Sequence, residues 1–170
     1  MDADAHEIIP GIFLGNQKFA HDIHMLGEMK ISHIINMAEE VPDLFPDQIT
    51  YKHFYRNDCI DDPIIETFKE AHIFLDQALQ NNKRVLIHCY AGISRSSTMV
   101  GSYLIKKYGL SAEKAIEYMK QIRPIVSPNN GFRRQLEQFE KTGYPSKFSF
   151  KLEELKSSLT PPLVTPSKLE

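Results

Sequence analysis

Val85-Leu86-Ile87-His88-Cys89-Tyr90-Ala91-Gly92-Ile93-Ser94-Arg95-Ser96 is the stretch from which the rest of the chain can be read. Val85-Leu86-Ile87 is a short apolar run of the kind that forms a buried strand. From Thr98 to Ile105 the apolar residues Met99, Val100, Tyr103 and Leu104 recur at helical spacing. A strand, a tight loop and a helix start in that order make an anion site. Unpaired amide N–H groups converge at the helix N-terminus, and the helix dipole adds positive potential there. Gly92 lets the loop turn through backbone angles closed to other residues, so that it becomes a nest of N–H donors for phosphate or sulfate.

Two side chains make this anion site reactive. Cys89 ends the strand, where donors and dipole favour thiolate over thiol, so a depressed pKa is expected. Arg95 can lay its fork across two oxygens of a tetrahedral dianion, a match Lys does not reproduce. A nucleophile beneath a bound phosphate, its charge met by amides and a guanidinium, is equipped for phosphoryl transfer to sulfur. Ser96 is placed to hydrogen-bond the sulfur and ease its departure when a phospho-cysteine is hydrolysed. A buried Cys without such surroundings is ordinarily a small hydrophobe. The pair His88-Cys89 does not read as a metal site, because the second cysteine is Cys59 and no Cys-x-x-Cys occurs. No metal or cofactor is expected, and there is no Gly-x-x-x-x-Gly-Lys-Ser/Thr nucleotide loop.

His88-Cys89-x-x-Gly92-x-x-Arg95-Ser96 resembles the signature of cysteine-dependent protein tyrosine phosphatases. The run Ala91-Gly92-Ile93-Ser94-Arg95-Ser96-Ser97 is most similar to the dual-specificity branch, as is Pro128-Asn129-x-Gly131-Phe132-x-x-Gln135-Leu136. The likeness extends from about Ile8 to about Tyr144. It implies Cys89 as nucleophile, Arg95 and the amides of Tyr90, Ala91, Gly92, Ile93, Ser94 and Arg95 as phosphate binders, and Ser96 as the hydroxyl assisting the sulfur. His88 is expected to orient the loop through hydrogen bonds. Asn129 resembles the family's loop-supporting asparagine, with a plain helix-start residue as the alternative.

The chain has 170 residues, 42% hydrophobic and 25% charged, with a net charge of −2 and two cysteines. That suits one domain with a good core, argues against nucleic acid as partner, and fits a reducing compartment without disulfides. No apolar run reaches the length of a membrane helix, and the acidic start Met1-Asp2-Ala3-Asp4 lacks signal-peptide or myristoylation features. Cytoplasmic residence is expected, with the nucleus left open.

In chain order, Pro10-Gly11 reads as a turn before a strand at Ile12-Leu14. Asn16 to Met25 reads as a short helix, Ile31 to Met37 as a buried strand, and Ile49 to Tyr55 as an alternating strand. Ile64 to Gln80 is a long amphipathic helix and Arg84 to His88 the strand that feeds the reactive loop. Ser111 caps one further helix, and Ser127-Pro128 reads as cap and first-turn proline of a last core helix carrying Phe132, Leu136 and Phe139. Strands alternating with helices predict a single α/β domain, a mostly parallel twisted sheet flanked by helices, with the site beyond the carboxyl ends of the strands. The expected layout is an N-terminal extension at 1–7, a catalytic domain at 8–145 and a partly flexible tail at 146–170, with a weakly helical piece at 150–159. Thr160 and Thr165 precede proline.

A phosphatase needs a proton donor for the leaving oxygen. Asp58 is the first candidate, since Tyr55-Arg56-Asn57-Asp58 resembles the family's acid loop; Asp61 and Asp62 are its competitors. The uncharged loop positions Tyr90, Ala91, Ile93 and Ser94 favour phosphoprotein substrates, because relatives acting on inositol phospholipids tend to carry lysines there. Both phosphotyrosine and phosphoserine/threonine are expected to be accepted. A phosphoinositide, glycan or RNA phosphate is the alternative substrate, and an inactive phosphoprotein-binding module the alternative function. Kinases are natural partners by resemblance; oligomeric state is left open. Arg133 and Arg134 read as a solvated helix face or as contacts for a second phosphate, and Cys59 as a bystander thiol or a redox partner of Cys89.

Overall fold

The computed structural model describes residues 3–145, so the tail expected at 146–170, its helical piece and Thr160 and Thr165 lie outside the described residues. Five strands form one sheet in the order β1-β2-β5-β3-β4. They are β1 (Ala5–Ile9), β2 (Ile12–Gly15), β3 (Ile31–Asn36), β4 (Thr50–His53) and β5 (Arg84–His88). β1 and β2 form an antiparallel hairpin, and the remaining pairings are parallel. β1 was not anticipated: its pairing depends on the Pro10-Gly11 turn folding it back on β2, and it begins inside the stretch expected to precede the domain.

β5 runs through the middle. Val85, Leu86 and Ile87 are fully buried, as a parallel strand covered on both faces requires. Leu86 packs with Phe13, Leu26 and Ile34 under α1 (Gln17–Ala20) and α2 (Ile23–Glu28). Val85 and Ile87 face the larger core beneath α3 (Phe68–Gln80), α4 (Arg95–Tyr108), α5 (Ala112–Ile122) and α6 (Asn130–Thr142). The helix expected over Asn16 to Met25 is two helices. Asp22 interrupts it by accepting the amides of His24 and Met25, an N-cap that starts a new helix. The long helix expected from Ile64 begins as a 3-10 turn at Ile64–Thr67 and becomes α only at Phe68.

α4 is buried along its whole length from Arg95 to Ile105. Three of its hydroxyls therefore bond nearby backbone: Ser97 Oγ to Ile93 O at 2.6 Å, Thr98 Oγ1 to Ser94 O at 2.7 Å, Ser102 Oγ to Met99 O at 2.6 Å. Since Ser102 gives its proton to Met99, it accepts from His72 Nε2 at 2.8 Å, and His72 Nδ1 then accepts from the Tyr144 hydroxyl at 2.7 Å. This directed chain ties the end of the domain to α3 and α4.

Candidate active site

The reactive loop, residues 89–94, leaves the carboxyl end of β5 and enters α4. Cys89 is buried, and its Sγ lies 3.1 Å from Oγ of the fully buried Ser96. Ser94 occupies the α4 N-cap but makes no side-chain cap bond, because its hydroxyl accepts the Asn129 amide at 3.0 Å. The first amides of α4 are thereby left to face an anion. Gly92 has φ +67°, and a Cβ there would stand 2.6 Å from Gly15 O and 2.7 Å from Arg123 Nη2, so glycine is needed for both conformation and approach.

Arg123 accounts for the back of the loop. It is 1% exposed and donates from Nε to Gly92 O at 3.0 Å, from Nη2 to Ala91 O at 3.4 Å and from Nη1 to Ala3 O at 2.7 Å. A nest turns its amides one way and its carbonyls the other, and the outward carbonyls need donors once buried. In the sequence, Arg123-Pro124 reads as no more than the end of the helix that Ser111 caps. The available signal was a lone cation in the apolar run Ile122-Arg123-Pro124-Ile125-Val126.

Arg95 is 6% exposed and held by a residue not anticipated, Glu40. Its Nη1 donates to Glu40 Oε2 at 2.7 Å and to Arg56 O at 3.0 Å, and its Nη2 donates to Glu40 Oε1 at 2.5 Å. The Arg95 hydrogen bond holds the Glu40 carboxyl below the usual range. Burial alone would lower the Arg95 pKa, but its bond to Glu40 and the charges around it leave it raised, so it stays a cation. Its Nε is buried with no hydrogen-bond partner among the described residues. An orphaned guanidinium N–H at the mouth of an anion-binding loop is what a phosphate oxygen would satisfy.

Asp58 lies exposed on the loop 54–63 and accepts from Asn129 Nδ2 at 2.9 Å. Asp62 is a tie inside that loop, accepting the Asn57 amide at 2.9 Å and standing 3.6 Å from Arg56 Nη1. Asp61 is exposed, as is Cys59; neither cysteine is in a disulfide.

Asn129 starts α6 and touches both neighbouring loops. Its Oδ1 caps α6 by accepting the Phe132 amide at 2.9 Å, while its side-chain and backbone N–H groups reach Asp58 and Ser94. The cap expected at Ser127 is therefore two residues later, and the Ser127 amide is spent on Ile93 O at 2.9 Å. Beyond it, Gly131 lies directly under the loop that carries Asp58: a Cβ there would be 2.0 Å from Ile60 O. Gln135 receives the Ile65 amide at 3.0 Å and donates to Asp62 O at 2.8 Å. The spaced residues Asn129, Gly131 and Gln135 are thus one dock for the loop that carries Asp58. Arg133 donates to Pro128 O at 3.0 Å and lines the groove between α5 and α6.

His88 is buried, and its Nδ1 donates to Cys89 O at 3.1 Å. Burial lowers its pKa to about 4, and that of His72 to about 3. Both are neutral in the folded chain, whereas an unfolded histidine titrates near 6.5. Below that pH the unfolded chain binds protons the folded one refuses, so stability is lost as pH falls from 6.5 toward 4. The loss should approach about 1.4 kcal/mol per pH unit for each histidine. Urea melts across this range should show the decline, and His72→Gln should remove one histidine's share of the slope; a flat profile would contradict the assigned protonation.

The sequence and the fold have counterparts among known proteins. Mouse Protein phosphatase Slingshot homolog 3 is 38% identical over 136 residues, covering 80% of this chain and 21% of that protein. Mouse Dual specificity protein phosphatase 15 is 42% identical over 133 residues, covering 78% of this chain and 56% of its own. The chain thus spans about a fifth of one of these curated relatives and just over half of the other. The crystal structure of DUSP15 superposes with a TM-score of 0.78 at 40% identity, covering 81% of this chain and 88% of that one. With the family model described as "Dual specificity phosphatase, catalytic domain" matching residues 12–142, the chain belongs to the dual-specificity phosphatase family.

Proposed function

We propose that this chain hydrolyses phosphotyrosine and phosphoserine/threonine in proteins through a phospho-cysteine on Cys89. The observation that carries the reading is the buried sulfur beside Ser96 Oγ, at the start of an uncapped helix whose Arg95 has an unsatisfied buried N–H. In the first step the Cys89 sulfur attacks phosphorus: an S–P bond forms, the P–O bond to the substrate breaks, and Asp58 gives its proton to the departing oxygen. In the second step water attacks the phosphorus and gives a proton to Asp58. The S–P bond then breaks, with the Ser96 hydroxyl donating to the leaving sulfur. Arg95 and the loop amides hold the equatorial oxygens throughout, and Glu40 fixes the guanidinium plane in advance. A free thiol nucleophile favours a reducing compartment, the cytoplasm or nucleus, as the place of action. Hydrolysis of p-nitrophenyl phosphate, blocked by vanadate, tests the chemistry; phosphopeptides, phosphoinositide and RNA assayed side by side test the substrate class. No vanadate-sensitive hydrolysis, or a preference for lipid or RNA, would overturn the proposal.

The dock under the acid loop adds a more searching prediction. Gly131→Ala must push Ile60, and Asp58 with it, away from the site. Turnover should fall about 10- to 100-fold, the cost of a displacement near 1 Å, while vanadate affinity is unchanged. Equal loss of both in Gly131→Ala would mean that the dock supports the phosphate loop instead.

A further inference from the structure

Among the described residues, the large hydrophobic side chains that remain exposed are Leu44, Tyr55, Ile60 and Tyr90, at 46%, 62%, 54% and 57%. Single exposed hydrophobics are ordinary on any surface. All four lie on loops that leave the carboxyl ends of parallel strands. Leu44 lies on the loop after β3, Tyr55 and Ile60 on the loop after β4, and Tyr90 on the loop after β5. Three loops at the carboxyl ends of adjacent parallel strands border the same mouth, the one above Cys89.

The rim is held in place. The Tyr55 ring stacks on His53 at 4.0 Å and 13°. His53 Nε2 donates to Ala38 O at 2.7 Å, and its Nδ1 lies 3.1 Å from Oδ2 of Asp43, the neighbour of Leu44. Ile60 is seated by its backbone on Gly131, and the Tyr90 carbonyl accepts the Gln17 amide at 2.9 Å. A stacked Tyr55 ring and loop backbone that is already held lose little entropy on contact.

The charges of the same loops are nearly all of one sign. Residues 37–49, 54–63 and 89–94 contain Glu39, Glu40, Asp43, Asp47, Asp58, Asp61 and Asp62 against a single basic residue, Arg56. Arg56 is 3.6 Å from Asp62, and Glu40 is taken by Arg95. Glu39, Asp47, Asp58 and Asp61 are exposed. Apart from the phosphate pocket itself, these three loops are therefore apolar and acidic, and they repel carboxylates or a second phosphate near the scissile one.

We infer that the rim of Leu44, Tyr55, Ile60 and Tyr90 selects phosphoprotein segments whose residues next to the phosphorylated side chain are apolar or basic, and rejects acidic or doubly phosphorylated segments. The inference rests on the proposed phosphatase reading and names its substrate class. Three phosphotyrosine peptides of equal length, flanked by Leu, Lys or Glu, test it. The Leu-flanked peptide should exceed the Glu-flanked one about tenfold in kcat/KM, the effect of burying part of one apolar side chain without like-charge repulsion. Raising the salt should shrink the penalty for Glu and leave the advantage of Leu, because salt screens charge and not apolar contact. Leu44→Ser should shrink the Leu advantage while p-nitrophenyl phosphate turnover is unchanged. Equal rates on the three peptides, a preference for Glu or for a doubly phosphorylated peptide, or faster hydrolysis of phosphoinositide vesicles would overturn it. Binding of the same peptides to Cys89→Ser separates the two readings. A preference for Leu there, with a wild-type protein inert toward p-nitrophenyl phosphate, would sink the catalytic reading and uphold the rim; binding without preference would sink the rim alone.

Discussion

Cys89→Ser should lower phosphatase turnover by about 10⁴-fold or more, the scale on which removal of a covalent nucleophile acts. The substitution exchanges sulfur for oxygen in a buried site of nearly the same shape, so the fold should persist. The amides at the start of α4, Arg95 and the Glu40 brace are untouched, and phosphopeptide binding should survive. A hydroxyl at this position is a far weaker nucleophile at neutral pH than the thiol it replaces. Steady-state kinetics on p-nitrophenyl phosphate, paired with calorimetric binding of a phosphopeptide, checks both halves. A variant that keeps substantial activity would require another nucleophile. One that loses binding as well would mean that the sulfur shapes the loop.

The second large effect belongs to Asp58. Asp58→Ala should reduce turnover about 10²- to 10⁴-fold, the range supplied by a positioned general acid. The size of the loss should depend on the leaving group. A serine or threonine alkoxide needs the proton most, a tyrosine phenoxide less, and p-nitrophenoxide least. Measuring the three substrates side by side turns one substitution into a graded test, and the variant should hold its phosphopeptide long enough to be isolated with it. An equal loss on all three would remove Asp58 from proton transfer. The full pattern appearing in Asp61→Ala would move the role three residues along the loop.

The reactive loop was legible because its chemistry is local. Strand, nucleophile, turning glycine and arginine lie within a dozen residues, and their spacing carries the geometry. The sheet followed from the alternation of strands and helices, except where a side chain or a turn decided the matter. Asp22 divides one expected helix by taking two amides, and the Pro10-Gly11 turn makes a paired strand of residues read as a lead-in. The cap of α6 was placed two residues early because Ser127-Pro128 and Asn129 both fit the pattern; the Ser127 amide is committed to Ile93 O, which nothing local announces.

Glu40 and Arg123 escaped for a deeper reason. They act on Arg95 and Gly92 across 55 and 31 residues of chain, and only the closed sheet brings them there. A glutamate in a proline-bearing loop and an arginine at a helix end look like surface residues. What gives them away is what they serve in the folded molecule: Glu40, itself exposed, pairs with the buried Arg95, and the buried Arg123 meets the Gly92 carbonyl.

Asn129, Gly131 and Gln135 grip the loop that bears Asp58 from below, and this limits how such domains can be recombined. A graft of residues 54–63 from a relative would carry only one half of a mortise joint. The donated backbone would meet a foreign helix start, and its carboxylate would arrive out of line. Residues 129–135 have to travel with the loop, so in any chimera of this family the two segments should be exchanged as one piece although some 65 residues of sequence separate them.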